Sequence, residues 1–228
     1  MTVQEIVTRV RSAIDEISLD GSNFSQLTTD EQNLTRIIID KIPYALQDVL
    51  EHAPLDKLDS DVFQTLTTAE LQANFAIDAT TLVGTLKLPD DLLRIIEARL
   101  SSWSHFPIPE PTTSQVYLMQ QDEYARGSWD RPVNILTHQG QDRKLEMYCA
   151  KTASDTLVFT FIRKPDTENI DTSHLSEDVS VPSMLEAALV YQVAGMTMVA
   201  FREDIANSLF AIANRHLGII REKGEEES

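Results

Sequence analysis

The sequence predicts an α+β fold in which a helical bundle carries an inserted antiparallel β domain. Apolar residues recur at helical spacing near both ends of the chain, in Val3–Ile17 and in Ala187–Phe201. Between them, Lys144–Ala150 and Thr156–Arg163 alternate apolar and polar residues, as half-buried strands do. The predicted parts are residues 1–111 (helical), 112–166 (β-rich) and 167–228 (helices that complete the bundle, with a polar tail).

Two helices are predicted at the start of the chain. The first carries a single apolar stripe along Val3–Ile17. The second begins at the pair Thr28 and Glu31, which has the spacing of a capping box, and it ends at Ala53-Pro54. We expect a kink or a break at Pro43, because proline lacks the backbone N–H and its ring clashes with the preceding turn.

Short secondary-structure elements are predicted in Leu55–Leu86, and a third long helix is predicted after this segment. Thr67 and Glu70 have the spacing of a short capped helix, and apolar residues further on favour short strands around turns. Leu88–Asp91 has the pattern of a helix start, since proline suits the first turn and aspartates complement the helix dipole. This helix is predicted to run to Trp103, after which prolines favour an extended chain.

Four strands are predicted in the middle of the chain. They are Val116–Met119, Pro132–Thr137, Lys144–Ala150 and Thr156–Arg163. Because Thr152–Asp155 has the composition of a turn, the last two strands are predicted to form an antiparallel hairpin.

The last part is predicted to be helical. After a polar loop, Thr167–Ser180, the stretch Ser180–Glu186 offers two possible helix starts. The cluster Arg202–Asp204 either breaks the following helix or solvates one of its faces, and Gly218 is placed to cap its end. The charged tail Glu222–Ser228 has a composition typical of disorder.

Charge and composition exclude several classes of protein. The net charge of −17 repels phosphate, so a surface that wraps nucleic acid is not expected. The acidity fits either simple solubility or a surface that must pass near DNA without binding it. A single cysteine indicates a reducing compartment, and Met1–Asp15 lacks the apolar core of a signal peptide. Ala187–Phe201 is too short to span a membrane and predicts a buried helix.

No catalytic, cofactor-binding or metal-ligating residue is predicted. The sequence contains no Gly-x-Ser-x-Gly elbow and no glycine-rich phosphate loop. Cys149 falls on the apolar face of a predicted strand and is interpreted as a packed thiol. Pairs of carboxylates such as Asp90-Asp91 are expected by chance in so acidic a chain. The histidines lack the spacing that would place two of them on one metal from one helix face: His52, His105, His138, His174 and His216.

Aromatic residues accompany the transition from the helical to the β-rich part. They favour core or interface packing over a ligand-stacking site. Arg126–Arg131, with Trp129 between the two arginines, is the most interface-like patch because Arg and Trp are enriched at protein contacts. The aromatic residues are Trp103, Phe106, Tyr117, Tyr124 and Trp129.

The order of these features resembles a known family. A helix and a kinked helix ending in Ala53-Pro54 precede the helix start Leu88–Arg94. A β insertion then closes with Phe159–Pro165, and Val181-Pro182 opens an alanine-rich helix pair. From about Glu31 to His216, the chain resembles the head-to-tail connector (adaptor) ring proteins of short-tailed phages, of the tail-tubular type and including those of crAss-like phages.

The resemblance implies a structural role without catalytic residues or cofactors. It implies a homo-oligomeric ring in the virion, assembled in the host cytoplasm, that contacts the portal and further tail or ring proteins. DNA would pass through the lumen without specific binding, and no membrane is involved. Two alternatives stay open: another non-catalytic interaction or scaffold module, and an enzyme whose site is assembled from residues distant in sequence.

Overall fold

The computed structural model describes residues 1–17, 31–122, 125–139 and 142–219 and has an α+β fold, as predicted. The chain divides into two compact units. The helical unit comprises Met1–Ser60 and Lys164–Ser228, and the β unit, Asp61–Arg163, is inserted between them. The β unit therefore begins at Asp61, ahead of the predicted division at residues 111 and 112, because several strands precede that point.

Helices lie at both ends of the described chain and most of the strands lie between them, together with four short 3₁₀ segments among the described residues. The helices are α1 (Val3–Ile17), α2 (Glu31–His52), α3 (Thr68–Leu71), α4 (Gln115–Gln120), α5 (Glu186–Met198) and α6 (Glu203–Leu217). The strands are β1 (Phe63–Thr67), β2 (Phe75–Ile77), β3 (Gly84–Lys87), β4 (Leu92–Leu100), β5 (Glu110–Pro111), β6 (Val133–Gln139), β7 (Asp142–Tyr148) and β8 (Leu157–Arg163).

Helix α5 is the centre of the helical unit. Helices α1, α2 and α6 all pack against it, which explains why α5 is apolar around nearly its whole circumference. Two of its polar residues, Gln192 and Thr197, are buried and form hydrogen bonds. The Gln192 side chain donates to the Asp48 carboxylate at 2.6 Å, and the Thr197 hydroxyl donates to the Val193 carbonyl at 2.8 Å. The predicted buried helix is thus confirmed up to Met198, whereas Val199 and Phe201 are exposed.

Helices α1 and α2 follow the predicted apolar stripes. Helix α2 continues through Pro43 without a break, and Thr28, the predicted capping residue, lies outside the described residues. The start of α1 is held by the predicted polar loop. The amide N–H groups of Val3 and Gln4 donate to the carbonyls of Glu177 and Leu175 at 3.0 and 2.9 Å, which satisfies donors that a helix start leaves open.

The α5–α6 junction resolves the two interpretations of the Arg202–Asp204 cluster in favour of a break. Helix α6 begins at Glu203, and the Arg202 guanidinium pairs with the Asp204 carboxylate at 2.9 Å. Gly218 ends α6 in the left-handed conformation (φ 81°), as predicted. The Lys57 ammonium donates to the His216 carbonyl at 2.6 Å and satisfies an acceptor in the last turn.

The β unit contains two sheets around one core. One has the strand order β1-β8-β4 and is antiparallel. The other has the order β2-β3-β7-β6-β5 and is antiparallel except for the pair of β5 with β6. Leu86 and Leu145 from the larger sheet and Phe159 and Phe161 from the smaller one belong to the same buried cluster. The predicted short helix is also present, since Glu70 accepts from the Thr67 amide at 2.7 Å at the start of α3.

The predicted hairpin of Lys144–Ala150 with Thr156–Arg163 is wrong. Both segments are strands, but β7 pairs with β3 and β6, whereas β8 pairs with β1 and β4. Cys149, directly after β7, has a left-handed backbone (φ 75°), so the extended conformation of the strand does not continue past Tyr148. The turn at Thr152–Asp155 then leads into the other sheet.

The predicted third helix is wrong as well, because Leu92–Leu100 is strand β4. Two register shifts interrupt the pairing of β4 with β8, one at Leu92/Arg94 and one at Ile95/Glu97. Each shift resembles a β-bulge and breaks the alternation of apolar and polar residues. The resulting pattern of paired apolar residues imitates helical spacing, and the β-branched Ile95 and Ile96 favour the strand.

The predicted strand Val116–Met119 is in fact part of helix α4. The Ser114 hydroxyl accepts a hydrogen bond from the Tyr117 amide at 3.2 Å and caps the helix start. The sequence pattern of only four residues is too short to distinguish a strand from one turn of a helix.

Helix α6 packs tightly against α5 at Gly195, where the Phe210 ring of α6 leaves no room for a side chain. A Cβ atom there would lie 2.5 Å from Cε1 of Phe210. We expect Gly195→Val to lower the free energy of unfolding of the helical unit by about 1–3 kcal/mol, because the added side chain overpacks the helix pair. Urea unfolding followed by the helical circular-dichroism signal measures the change.

The matched background is Phe210→Ala, which removes the ring that the valine would meet. The Gly195→Val cost should be clearly smaller in this background, as a coupling energy in a double-mutant cycle. Equal costs in both backgrounds would show that the Phe210 contact is not the reason for glycine at position 195.

Candidate interaction site

A cavity of about 530 Å³ lies in the β unit beside the end of strand β7. Three segments line it: the turn Thr81–Val83, the stretch Arg126–Trp129 together with the end of α4, and the chain from Tyr148 to Lys151. The volume is within the range of pockets that bind small ligands or a few side chains. Its lining includes Arg126–Trp129, the first four residues of the predicted interface-like patch Arg126–Arg131.

The floor of this pocket has a strained backbone. Leu82 (φ 54°) and Cys149 (φ 75°) are the non-glycine residues with left-handed conformations among the described residues, and both line the pocket. They are joined, because the amide of Ala150 donates to the Leu82 carbonyl at 3.1 Å. The indole N–H of the buried Trp103 donates to the Cys149 carbonyl at 3.1 Å. Strain of this kind persists only where surrounding contacts fix the backbone.

One wall of the pocket is anchored by Gln120, a buried polar residue. Its side-chain amide donates to the Val116 carbonyl at 3.0 Å and accepts from the Gly127 amide at 3.2 Å. These two bonds connect helix α4 to the segment that carries Arg126 and Trp129. The two hydrogen bonds of the Gln120 side chain therefore hold this wall in place.

The opening of the pocket presents cations and an aromatic ring. Trp129 is 48% exposed, and the Lys151 ammonium lies 4.7 Å from the centroid of its ring. Arg126 is exposed and lines the same pocket. Among the described residues, no carboxylate forms a salt bridge with Arg126 or Lys151. The nearby Asp130 accepts from the Ser128 hydroxyl, which holds the pKa of Asp130 below its usual value.

The backbone around Lys151 is organised by Asp155. Its carboxylate accepts from the Ser102 hydroxyl at 2.5 Å and from the Lys151 amide at 2.9 Å. Burial alone would raise the pKa of Asp155, but these bonds and those from Thr152 outweigh it and hold the pKa below its usual value. The carboxylate is therefore ionised at neutral pH and keeps the turn after Cys149 in place.

A comparison of the chain with protein families identifies its relatives. The family model described as SU10 adaptor protein matches residues 1–226. The chain belongs to the SU10 adaptor protein family. This is a family of structural adaptor proteins of phages, so the chain is a component of the virion. No curated protein matches it.

The other potentially reactive residues of this SU10 adaptor family member do not form a common site in the part of the chain that the structure describes. Within the described ranges, no three His, Cys, Asp or Glu residues are grouped so that they could hold a metal ion, and no helix is long and apolar enough to cross a membrane. His52 contacts the Asp48 carbonyl at 2.9 Å, His174 contacts the Asp171 carboxylate at 2.9 Å, and His216 stacks on Tyr191. These three histidines therefore each have a contact of their own at the surface, and none of the three contacts involves another histidine.

The predicted aromatic group is only partly brought together. Trp103 is buried in the core of the β unit, and Phe106 packs against that core. Trp129 is the exposed member, whereas Tyr124 lies outside the described residues. Sequence analysis predicted Arg126 and Trp129 as parts of an interface but did not identify Lys151 as their neighbour. No local pattern indicates Lys151, because its approach to Trp129 depends on the left-handed turn at Cys149.

The thiol of Cys149 is buried enough that its pKa is raised to about 11, mainly by desolvation, while Arg126 opposes the shift. The neutral thiol is thus the form at physiological pH, and the prediction of a packed thiol agrees with this environment. Its placement on a strand face was wrong, because β7 ends at Tyr148.

We expect Cys149 to react slowly with iodoacetamide in the folded protein. At pH 8 the rate should be on the order of a hundredfold below that of the urea-unfolded chain, whose thiol has a pKa of about 8.5. Because only the thiolate reacts, the folded rate should rise about tenfold per pH unit up to about pH 10. Mass spectrometry measures the alkylated fraction with time. Cys149→Ser is the blank, and a plateau of the folded rate near pH 8.5 would contradict the raised pKa.

Proposed function

We propose that the chain is the subunit of a homo-oligomeric ring that joins the portal to the tail and surrounds the DNA conduit. The observation that carries the proposal is the match of the SU10 adaptor protein family model to residues 1–226, which spans both units. The protein would act by geometry and contact, without catalysis or a cofactor. The more specific resemblance to tail-tubular and crAss-like ring proteins is part of the same proposal.

The inserted architecture supports a connecting role. The helical unit and the β unit each have their own core, so each can present a separate surface to a different neighbour. Both units also expose large apolar side chains that a neighbouring protein could cover. Those in the helical unit include Tyr44, Met184, Val199 and Phe201, and those in the β unit include Ile108, Leu118 and Met119.

The charge of the chain supports a conduit for DNA. Each copy carries a net charge of −17, so a ring of copies repels phosphate and adds no adhesive surface around the duplex. A protein that releases counterions from DNA needs clustered Lys and Arg, and the chain has 19 of these against 36 acidic residues. DNA would therefore slide past such a ring without being held.

The decisive experiment mixes the purified chain with portal rings of the same phage. We expect the chain to cosediment with the portal and to form a ring on it, visible by electron cryomicroscopy, because adaptor subunits need a symmetric template. The control is the chain alone at the same concentration, which should sediment as a smaller species.

Purified virions distinguish the main alternative. A chain that is present in virions but does not bind the portal would support a different interaction or scaffold role in the assembly. Absence from virions together with failure to bind the portal would contradict the connector function altogether.

A further inference from the structure

We propose that the Trp129 pocket, lined by Arg126, Trp129 and Lys151, binds an acidic peptide, and that its occupant is the segment Glu222–Glu227 of a second copy of the chain. The exposed cations and the tryptophan ring of the pocket are the evidence that its ligand is an acidic peptide. The presence of a neighbouring copy rests on the proposed ring function. The pocket would then be a contact between subunits that the family match does not specify.

The first argument is the local charge. Arg126 and Lys151 are exposed at one opening in a chain whose net charge is −17, and neither forms a salt bridge with a described carboxylate. An arginine and a lysine without carboxylate partners are suited to bind carboxylates from another segment. Arginine adds a bidentate geometry that matches a glutamate side chain.

The second argument is the exposed Trp129 ring. Tryptophan is 48% exposed here, although its large apolar surface favours burial at a contact. The Lys151 ammonium at 4.7 Å covers part of the ring and positions the charge at the opening. A peptide backbone and the methylene groups of a glutamate can pack on the remaining face of the ring while its carboxylate meets the cations.

The third argument is the rigidity of the pocket. The left-handed residues Leu82 and Cys149, the indole bond from Trp103 and the buried Gln120 fix the floor and one wall before any ligand arrives. A pocket that is already formed loses little conformational entropy on binding. A pocket of this kind is therefore suited to bind a short acidic segment.

An acidic peptide fits the site better than a nucleic acid does. The pocket offers a tryptophan ring and two cations, which also suit a single-stranded nucleic acid. However, a phosphate chain would extend beyond the pocket onto a molecule with 36 acidic and 19 basic residues. A peptide can place one or two glutamates within about one Debye length, roughly 8 Å, of the local cations without a continuous charged backbone.

The chain itself contains a segment with the required chemistry. Residues 220–228 follow helix α6 and include Glu222 and the consecutive Glu225, Glu226 and Glu227. These nine residues span at most roughly 30 Å when extended, which is enough to leave one subunit and lie on the next. Side-by-side copies in a ring would bring each such segment near a neighbouring subunit.

The test uses a fluorescent peptide with the sequence of residues 222–228. Its receptor is the full chain in which Glu222, Glu225, Glu226 and Glu227 are changed to Gln, so that the chain's own tail does not compete. We expect saturable binding by fluorescence anisotropy that weakens with salt. A peptide with Gln in place of each Glu should show no saturable binding.

Substitutions in the receptor locate the site. Arg126→Glu and Trp129→Ala should each weaken peptide binding by about tenfold or more, because they remove central contacts of the pocket. The matched control is Arg99→Glu, which makes the same change in net charge outside the pocket and should alter binding by less than about twofold. Melting temperatures establish that all receptors are folded.

Two results would overturn the peptide site. One is the absence of saturable binding, or equal weakening by Arg126→Glu and Arg99→Glu. The other is tighter binding of an oligothymidylate than of the peptide, with the same dependence on Arg126, which would indicate a nucleic-acid site.

Sedimentation of the unmodified chain identifies the source of the occupant. A second copy as occupant predicts self-association that rises with concentration and is lost in Arg126→Glu and in the Glu→Gln chain, but kept in Arg99→Glu. A chain that stays monomeric and blocks the peptide with its own tail would overturn the contact between copies. Portal binding is measured separately, so failure here is distinguishable from failure of the connector function.

Discussion

The left-handed turn at Cys149 is the constraint on which the β unit depends. Strand β7 ends at Tyr148 in one sheet, and β8 begins at Leu157 in the other, so the chain must change sheets within a few residues. A positive φ at a residue with a side chain costs on the order of 1–2 kcal/mol. The bonds from Trp103 to the Cys149 carbonyl and from Ala150 to Leu82 hold the turn against this cost.

This change of sheet determines which strands can pair. If β7 continued into a tight hairpin, β8 would occupy the edge of β7 that β3 or β6 holds. Strands β1 and β4 would then lose the central strand that joins them. The two sheets share one buried cluster, with Phe159 and Phe161 from β8 among its members, because β8 is delivered to the smaller sheet. The same turn exposes Lys151 beside Trp129, so the pocket is a product of the crossing between sheets.

Helices with one covered face were predictable from the sequence. Some features depend only on residues that are close in sequence, so local sequence patterns predict them. They are the apolar stripe of α1, the helix start at Thr67 and Glu70, and the Gly218 cap. Strand β4 was not predictable, because its two register shifts replace alternation with a helix-like pattern. The pairing of β8 was also beyond local patterns. It depends on a left-handed conformation at Cys149, a residue type that rarely adopts it.

Only part of the candidate site was predictable, because local sequence patterns do not show which distant residues the fold brings together. Arg126 and Trp129 are close in sequence, so composition alone indicated an interface. Leu82 and Lys151 reach them only through the tertiary fold. A single sequence shows the chemistry of one segment, whereas the pocket combines three segments that the strained turn brings together.

The charges of the chain act at two distances with opposite signs. As two copies approach to within about one Debye length, roughly 8 Å, their net negative charges repel each other, whereas salt screens this repulsion at larger separations. At contact, the local cations at Arg126 and Lys151 face no described carboxylate and attract one. Such a balance makes association in free solution weak and dependent on concentration, and it strengthens association where copies are already held side by side. Assembly on a template would exploit this difference, because the template supplies the proximity that repulsion otherwise opposes.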